Sequence, residues 1–550
     1  MRFAPAFHDL YRKAALATAI TLCAGVAQAR DDRPNILLVV SDDLGFTDVG
    51  PFGGEIHTPN LDRLAELGVR FTDFHASVSC SPTRSMLLTG TDNHLAGLGN
   101  MGELLSENQK GRPGYEGHLN DRVVTLQEVL RDAGYDTYMA GKWHLGHEEG
   151  LYPSDRGFDR VLSLLNGGGS HYADMSGLME ADHPVKYVED GVLLDELPTG
   201  FYSSRSYADF LIDAIRDGRD GGRPFLAYLA FTSPHDPMHV PKPWSEHYLG
   251  DYDEGYEALH EKRVARVIEM GLFPEGTPVP EVGDIVRRWD DLSLSEKARE
   301  ARAMEIYAGM VTNMDYNLGR VITYLEDIGE LDDTIVVFMS DNGPNPYYSN
   351  DYPGNDEGLF LQTFDDGIEA MGTRESAYAY GPGWASAGAG PLNAFKMTSA
   401  EGGIRVPLII HWPGGRRNEV TAEFAYVWDI MPTLLDGIGI EHPEEFNGSP
   451  VERTRGISMV PFLSGETDQV YDDEAFVGGE LSNGKWMRQG AYKIRLIPPP
   501  YGEGEWELFN VEEDPGETTE LGPEFPDIRD RLTAAYDAYA EEVGVIPMER

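Results

Sequence analysis

Short apolar segments alternate with segments of helical periodicity along most of the chain. The apolar segments are rich in Val, Ile, Leu and Phe, which is typical of buried strands. They cover residues 34–40, 137–140, 225–231, 334–339 and 406–411. Helical patterns cover residues 58–67, 125–133 and 303–325. This alternation of strand and helix predicts an α/β fold.

Polar side chains that can do chemistry follow four of these predicted strands. Open parallel sheets place their ligand crevice at the carboxyl ends of the strands. Strand ends that are distant in sequence are therefore expected to meet at one site. The residues at these four ends are Asp42 and Asp43, Lys142 and His144, His235, and Asp341 and Asn342.

A change of composition follows the helical pattern at residues 428–438. Residues 441–475 are rich in Glu, Pro, Gly and Asp, as in a connecting segment. Short strand-like runs and a last helix come after it, at residues 475–477, 490–496, 506–509 and 526–542. We expect a large domain over residues 30–440 and a small α+β domain over residues 441–550.

The N-terminus has the features of a cleavable signal peptide. Basic residues precede a small apolar run at 14–26, and residues 27–29 read Ala-Gln-Ala, as at a signal-peptidase site. The alternative is a membrane anchor, for which the run is too short. We expect residues 1–29 to be removed and the mature protein to be periplasmic or secreted, with no stable membrane association.

The charge balance excludes one class of partner. The chain has 93 Asp and Glu against 44 Lys and Arg, for a formal net charge of −49. Nucleic acid phosphates would meet a strongly negative field, so nucleic acid is not an expected partner. An anionic substrate would have to be held by a few local cations.

Cysteine use excludes a disulfide scaffold and a Cys-rich zinc module. There are two cysteines, and Cys23 leaves with the signal peptide, so Cys80 is the only one in the mature chain. Cys80 is followed by Pro82 and Arg84 at what looks like a helix start. Taken alone, this pattern fits a reactive residue at the positive end of a helix or a buried structural cysteine equally well.

The segment 80–90 resembles the signature of the type I sulfatases. The likeness extends from about residue 34 to about residue 521 and includes residues 153–159, 401–407 and 508–517. Residues 88–101 are most similar to bacterial arylsulfatases. The resemblance implies an alkaline-phosphatase-like fold, with a large, mostly parallel mixed sheet sandwiched by helices and a smaller C-terminal α+β domain.

The resemblance also implies a modified residue and a reaction. In this family a separate formylglycine-generating enzyme oxidises the cysteine, here Cys80, to Cα-formylglycine before or during export. The aldehyde hydrates, one hydroxyl attacks sulfur, and a covalent sulfate hemiester forms. The second hydroxyl then loses its proton, and sulfate leaves. The expected substrate is a small-molecule sulfate ester, most simply an aryl sulfate that yields a phenol and sulfate.

A metal site is the second implication. Side chains with hard oxygen donors follow two predicted strands, and such donors suit Ca²⁺ or Mg²⁺. Adjacent acids at strand ends also serve as turn and cap residues, so the pattern alone leaves both readings open. By resemblance, one Ca²⁺ is bound together with the modified Cys80 by Asp42, Asp43, Asp341 and Asn342.

The remaining catalytic assignments follow from matched motifs. Lys142, His235 and Lys396 are expected to contact the sulfate ester, with His235 assisting departure of the leaving group. His144 is expected to take the proton of the second hydroxyl, and Arg84 to orient the formylglycine. His235 is preferred to the nearby His239, because His239 does not end a strand. Arg405 is expected to be structural, and His147 is expected to be a surface residue.

Several alternatives stay open at this point. A phosphonate monoester or phosphodiester hydrolase shares the fold and cofactors, and an alkyl or carbohydrate sulfatase shares the reaction. A sulfate-binding protein without turnover would not need the full set of catalytic residues. A two-zinc phosphatase would need a Ser or Thr nucleophile and a His-rich second site, and neither is found. The aromatic segment 344–393 is expected to be either a substrate lid or packing between domains.

Overall fold

The computed structural model describes residues 33–282, 286–355 and 360–549. The predicted signal peptide, residues 1–29, lies outside them. None of the helices in these ranges is both long and apolar enough to cross a lipid bilayer.

Strands in the described residues form two main sheets and two small ribbons. In chain order they are β1 (Asn35–Ser41), β2 (Val69–Phe71), β3 (Phe74–His75), β4 (Asp136–Lys142), β5 (Arg160–Leu164), β6 (Tyr187–Glu189), β7 (Val192–Leu193), β8 (Phe225–Ala230), β9 (Thr334–Ser340), β10 (Leu408–His411), β11 (Glu419–Thr421), β12 (Ala425–Tyr426), β13 (Glu445–Phe446), β14 (Ser449–Pro450), β15 (Phe476–Leu481), β16 (Gly484–Gln489), β17 (Tyr492–Leu496) and β18 (Glu507–Asn510).

The central sheet has ten strands in the order β11-β2-β10-β9-β1-β8-β4-β5-β6-β7. Its middle is parallel, because β1 pairs in parallel with β9 and β8, and β4 pairs in parallel with β8 and β5. The edges are mixed, since β10 runs antiparallel to β9 and β6 runs antiparallel to β5. The predicted α/β fold with a mostly parallel mixed sheet is confirmed.

The described residues contain twelve α-helices, and several of them cover the two faces of this sheet. They are α1 (Pro59–Leu67), α2 (Cys80–Thr89), α3 (Leu126–Asp132), α4 (Ser203–Gly218), α5 (Lys242–Ser245), α6 (Tyr256–Glu269), α7 (Leu294–Asp327), α8 (Gly381–Ala389), α9 (Glu401–Ile404), α10 (Ile430–Gly437), α11 (Val460–Leu463) and α12 (Pro526–Val543).

Alternation along β1 divides the core into two layers. Leu37 and Val39 pack with α1, α4 and α7 on one face of the sheet. Ile36, Leu38 and Val40 pack with α2, α3 and α10 on the other face. Because both faces are covered, the middle strands are apolar throughout, as parallel strands of an α/β protein are.

The C-terminal part of the chain forms a separate four-stranded antiparallel sheet, β15-β16-β17-β18. Helix α12 packs on it through Leu532, Tyr536 and Tyr539, which contact Ile494 and Leu508 in one buried cluster. This is the smaller α+β unit that the sequence predicts. The proposed division at residue 440 stays a prediction.

Buried ion pairs join this sheet to the rest of the protein. The Lys493 ammonium on β17 donates to Glu401 at 2.7 Å and to Glu517 at 3.0 Å. Arg488 on β16 donates to both oxygens of Asp73, at 2.8 and 3.1 Å. Arg405, expected to be structural, lies in this network beside Asp73 and Glu401. These carboxylates are already paired with cations, so the cluster that they form with His75 is structural.

Candidate active site

Four parallel neighbours of the central sheet bring the predicted site residues to one edge. The strands β9, β1, β8 and β4 are adjacent in that order. Backbone bonds tie their ends together, because Asp341 N–H donates to the Ser41 carbonyl at 3.1 Å and Asp42 N–H donates to the Ser233 carbonyl at 3.2 Å. The residues that follow these strands therefore face one another across the crevice.

Cys80 lies at the centre of this arrangement, at the first position of α2. Its Sγ is 3.4 Å from Asp42 Oδ1, 3.7 Å from Asp43 Oδ1 and 3.4 Å from Lys396 Nζ. The residue is 2 % exposed. Burial and the nearby Asp341 carboxylate raise the pKa of the thiol well above its usual value. An unmodified thiol would therefore stay protonated and be a poor nucleophile.

Three cations face three carboxylates around Cys80. Lys142 Nζ donates to Asp42 at 2.8 and 2.9 Å, and Lys396 Nζ donates to Asp43 at 2.8 and 2.9 Å. Arg84 Nε donates to Asp341 Oδ2 at 2.9 Å and Arg84 Nη1 donates to the Lys142 carbonyl at 3.0 Å. All six side chains are buried, so their charges interact strongly.

The pKa directions follow from this pairing. Burial opposes ionisation of Asp42, but Lys142, His235 and Arg84 outweigh it and hold its pKa below the usual range. Burial and the neighbouring Asp42 raise the pKa of Asp341. Burial opposes the charge of Lys396, yet Asp43 raises the pKa of its ammonium well above the usual value.

The donor set fits a hard divalent cation. Asp42, Asp43 and Asp341 supply carboxylate oxygens, and Asn342 Nδ2 donates to Asp43 Oδ1 at 2.7 Å. Asn342 Oδ1 is buried and has no hydrogen-bond partner among the described residues. A buried amide oxygen without a donor is costly unless something electropositive contacts it. This orphaned oxygen beside three carboxylates matches the ligands that Ca²⁺ takes.

His235 reaches the same cluster from the segment after β8. Its Nε2 is 3.4 Å from Asp43 Oδ2, while its Nδ1 lies 2.7 Å from the Asp236 carbonyl and 3.0 Å from Asp236 Oδ1. Burial opposes protonation, but Asp43 and Asp42 outweigh it and raise the pKa of His235. His239 instead donates from Nε2 to the Ser376 carbonyl at 2.7 Å. Among the described residues it makes no hydrogen bond with Cys80 or its carboxylate neighbours.

The aromatic segment 344–393 contacts the site through Asp236. The Asp236 Oδ1 atom accepts hydrogen bonds from Asn345 Nδ2 at 2.9 Å and from the Tyr352 hydroxyl at 2.8 Å. Burial raises the pKa of Tyr347, and Lys396 lies close enough to oppose part of that rise. The segment therefore packs directly beside the catalytic edge of the sheet.

His144 is placed differently from the other predicted residues. Its backbone has φ +54°, in the left-handed region that is unfavourable for a non-glycine residue. Its Nε2 lies 3.0 Å from Glu103 Oε1, at the rim of the crevice. The structure thus brings Cys80 together with Arg84, Lys142, His235 and Lys396, and places His144 at the edge of that cluster.

Four residues at the site were not predicted from the sequence. Glu103 contacts His144, Asp236 contacts His235, and Gly167 and Gly168 lie flat against the two histidine rings. A Cβ at Gly167 would be 2.8 Å from His144 Cε1, and one at Gly168 would be 3.1 Å from His235 Cε1. The run of three glycines after a strand was the available signal, since such runs mark close approach of backbone to other groups.

Comparison with known proteins agrees with this geometry. The Sulfatase family model matches residues 34–440. An uncharacterized sulfatase of Schizosaccharomyces pombe is 43 % identical over 531 residues, covering 94 % of this chain and 95 % of its own length. The arylsulfatase of Klebsiella aerogenes is 38 % identical over 453 residues, covering 81 % of this chain and 96 % of its own.

A solved structure shows the same architecture. The PsFucS1 sulfatase from Pseudoalteromonas sp. has a TM-score of 0.60 at 20 % identity, over 94 % of this chain and 92 % of its own. At 20 % identity that likeness shows the fold alone. The family is shown by the two sequence relatives, at 43 % and 38 % identity, and by the family model. The chain belongs to the sulfatase family and is a sulfuric ester hydrolase.

Proposed function

We propose that this protein is an arylsulfatase that converts an aryl sulfate and water to a phenol and sulfate. The proposal includes a Cα-formylglycine made from Cys80 and one bound Ca²⁺. The observation that carries it is the position of Cys80 Sγ, which lies between Asp42, Asp43 and Lys396 within 3.7 Å.

The modification explains why a cysteine with a raised pKa occupies the nucleophile position. An aldehyde at residue 80 would hydrate and supply a hydroxyl nucleophile, which the buried thiol does not. Arg84 would hold residue 80 in place, because it spans Asp341 and the Lys142 carbonyl from the next turn of α2. Lys396, 3.4 Å from Sγ, lies where it can stabilise negative charge on the attacking oxygen.

The charge balance of the site favours a divalent cation. Asp42, Asp43 and Asp341 are offset by Arg84, Lys142 and Lys396, so little positive charge is left over for an anion. Ca²⁺ held by the three carboxylates and Asn342 Oδ1 would offset the sulfate oxygens and favour ionisation of a nearby hydroxyl. It would also release Lys142 and Lys396 from the carboxylates to contact the ester.

His235 is suited to protonate the leaving oxygen. Its Nδ1 donates to Asp236, which leaves the proton on Nε2 as the one directed at the cluster. Burial opposes protonation of His235, but Asp43 and Asp42 outweigh it and raise its pKa, which favours the imidazolium. It can therefore give a proton to the departing phenolate. His144 would take a proton later, when sulfate is released.

Export and maturation form part of the proposal. Residues 1–29 would direct the chain to the periplasm or the exterior, and a formylglycine-generating enzyme would act on it transiently. Because Cys80 is only 2 % exposed, the modifying enzyme would have to reach it before the fold closes. The proposed substrate is a small molecule, and neither nucleic acid nor membrane is proposed as a stable partner.

Mass spectrometry coupled to activity tests the proposal. Protein made with and without a formylglycine-generating enzyme should differ in the mass of the peptide that carries residue 80. Aryl sulfate turnover should rise in proportion to the aldehyde fraction. Full turnover by protein carrying only thiol would contradict the mechanism. Phosphonate monoesters should be assayed in parallel, because both anions are tetrahedral. A higher kcat/KM for phosphonate monoesters than for aryl and alkyl sulfates would favour the phosphonate hydrolase.

A further inference from the structure

We infer that Glu103 is a positioning residue that fixes the ring and the tautomer of His144 for its proton transfer. This inference rests on the proposed function. Glu103 comes from a short turn, Gly102–Leu104, that is remote in sequence from β4 and its following segment. Its Oε1 accepts from His144 Nε2 at 3.0 Å, as an ion pair or a neutral hydrogen bond.

The tautomer follows from which nitrogen is engaged. A carboxylate accepts hydrogen bonds, so the proton of a neutral His144 ring is held on Nε2, facing Glu103. The lone pair then lies on Nδ1. That atom is buried and has no hydrogen-bond partner in the described part of the chain. His144 is thus ready to accept one proton at Nδ1, and Glu103 offsets the positive charge that this creates.

The ring is held on a second side by the backbone. Gly167 follows β5, and a Cβ there would be 2.9 Å from His144 Nε2. The ring therefore lies between a peptide surface and a carboxylate. This support also accounts for the positive φ of His144, because such a conformation persists only where surrounding contacts hold it.

Burial and charge agree with an orienting role for the Glu103 carboxylate. The His144 side chain is 11 % exposed and that of Glu103 is 35 % exposed. Burial opposes ionisation of Glu103, but His144, with a smaller effect of Lys142, lowers its pKa to about 2. The carboxylate is therefore charged throughout the range in which the enzyme can act.

Glu103→Ala and Glu103→Gln test this role on the formylglycine-containing enzyme with nitrophenyl sulfate. Losing an orienting partner should lower kcat about 10- to 100-fold. KM should fall with it, because the slowed step follows departure of the leaving group, so kcat/KM should change little. Gln keeps an acceptor at the same reach without the charge, so it should recover part of kcat. Because His144 acts after the leaving group departs, Glu103→Ala should show a burst of one nitrophenolate per active site before slow turnover.

Two controls separate this role from a general structural effect. Glu148 forms a similar contact with His147, at 3.1 Å, on the surface, so Glu148→Gln should leave kcat and the burst unchanged. Glu103→Ala combined with His144→Ala should be no slower than His144→Ala alone, since the two residues act as one unit.

The outcomes distinguish the two levels of the proposal. Wild-type kcat in Glu103→Ala, a raised KM with unchanged kcat, or fully multiplicative losses in the double variant would each overturn the positioning role and leave the proposed function intact. If wild-type protein with an aldehyde at residue 80 turned over no sulfate ester, the proposed function would fail and the role of Glu103 with it.

Discussion

His94 is expected to make the stability of the protein depend on alkaline pH. It is fully buried between two carboxylates, with Nδ1 at 2.9 Å from Asp92 Oδ1 and Nε2 at 3.1 Å from Glu480 Oε2. Asp92 also accepts from the Tyr539 hydroxyl at 2.8 Å. These contacts join the segment after α2 to β15 and α12, so the charge of His94 helps to hold the C-terminal sheet on the catalytic edge.

The size of the effect follows from the pKa of this group. Burial opposes protonation, but Asp92 and Glu480 outweigh it and raise the pKa of His94 from 6.5 to about 9. A raised folded-state pKa stabilises the protein fully below pH 6.5, and this contribution is lost as pH rises through 9. At about 1.4 kcal/mol for each pH unit, the loss is about 3 kcal/mol of unfolding free energy.

Comparison with His94→Gln isolates this contribution. Thermal and urea unfolding of both proteins should be followed between pH 6 and 10. The variant should be less stable by about 3 kcal/mol at pH 6, because two buried carboxylates lose their cation. The gap should narrow as pH rises from 6.5 and should be nearly closed above pH 9. His147→Gln, which removes an exposed ion pair with Glu148, should change stability by less than about 1 kcal/mol at every pH. A gap between wild type and His94→Gln that does not change with pH would refute the reasoning.

Four further predictions concern the site. Cys80→Ala should abolish sulfatase turnover while the melting temperature stays near that of wild type, and substantial turnover would sink the assignment of the nucleophile. Metal analysis of active protein should find about one equivalent of calcium, and a chelator should lower the melting temperature by removing a ligand of the folded state; two equivalents of zinc would contradict this. His235→Ala should slow alkyl and unactivated aryl sulfates more than nitrophenyl sulfate, because a stable phenolate needs little protonation; equal penalties in a series of leaving groups would show that the role is misassigned. Moderate salt should raise kcat/KM, because it screens the net charge of −49 that repels an anionic substrate; a steady fall with salt would speak for local cations as the dominant field.

The arrangement of the strand ends could be predicted from the sequence. Apolar runs followed at once by Asp42, Asp341 or His235 imply parallel strands, and parallel strands end at the same edge. The register bears this out, since Ser41 on β1 pairs with Ser340 on β9. The following residues, Asp42 and Asp341, are therefore neighbours although they lie far apart in the chain.

Element ends and strand directions were harder to predict. Helix α7 begins at Leu294, whereas the apolar pattern predicts a start at 303. The pattern misses the first turns because they are polar and exposed and lack an apolar stripe. The capping box of Ser293 and Glu296 marks the true start. Strand β16 was missed because its apolar residues, Trp486 and Met487, are adjacent and do not alternate. The antiparallel direction of β10 has no local signature, since it depends on where the chain re-enters the sheet.

The partners of the catalytic groups depend on contacts that no local pattern encodes. The spacing of Lys142 and His144 predicts side chains on one side of an extended segment. In the structure His144 has a positive φ, so the two side chains diverge, and Lys142 reaches Asp42 while His144 reaches Glu103. Lys142 and His235 thus come from strand ends, whose position the fold determines. The contacts that hold His144 and Asp236, the partner of His235, come from loops, namely the Glu103 turn and the segment with Asn345 and Tyr352. Substitutions in those loops should therefore alter proton transfer and leave the proposed metal ligands in place.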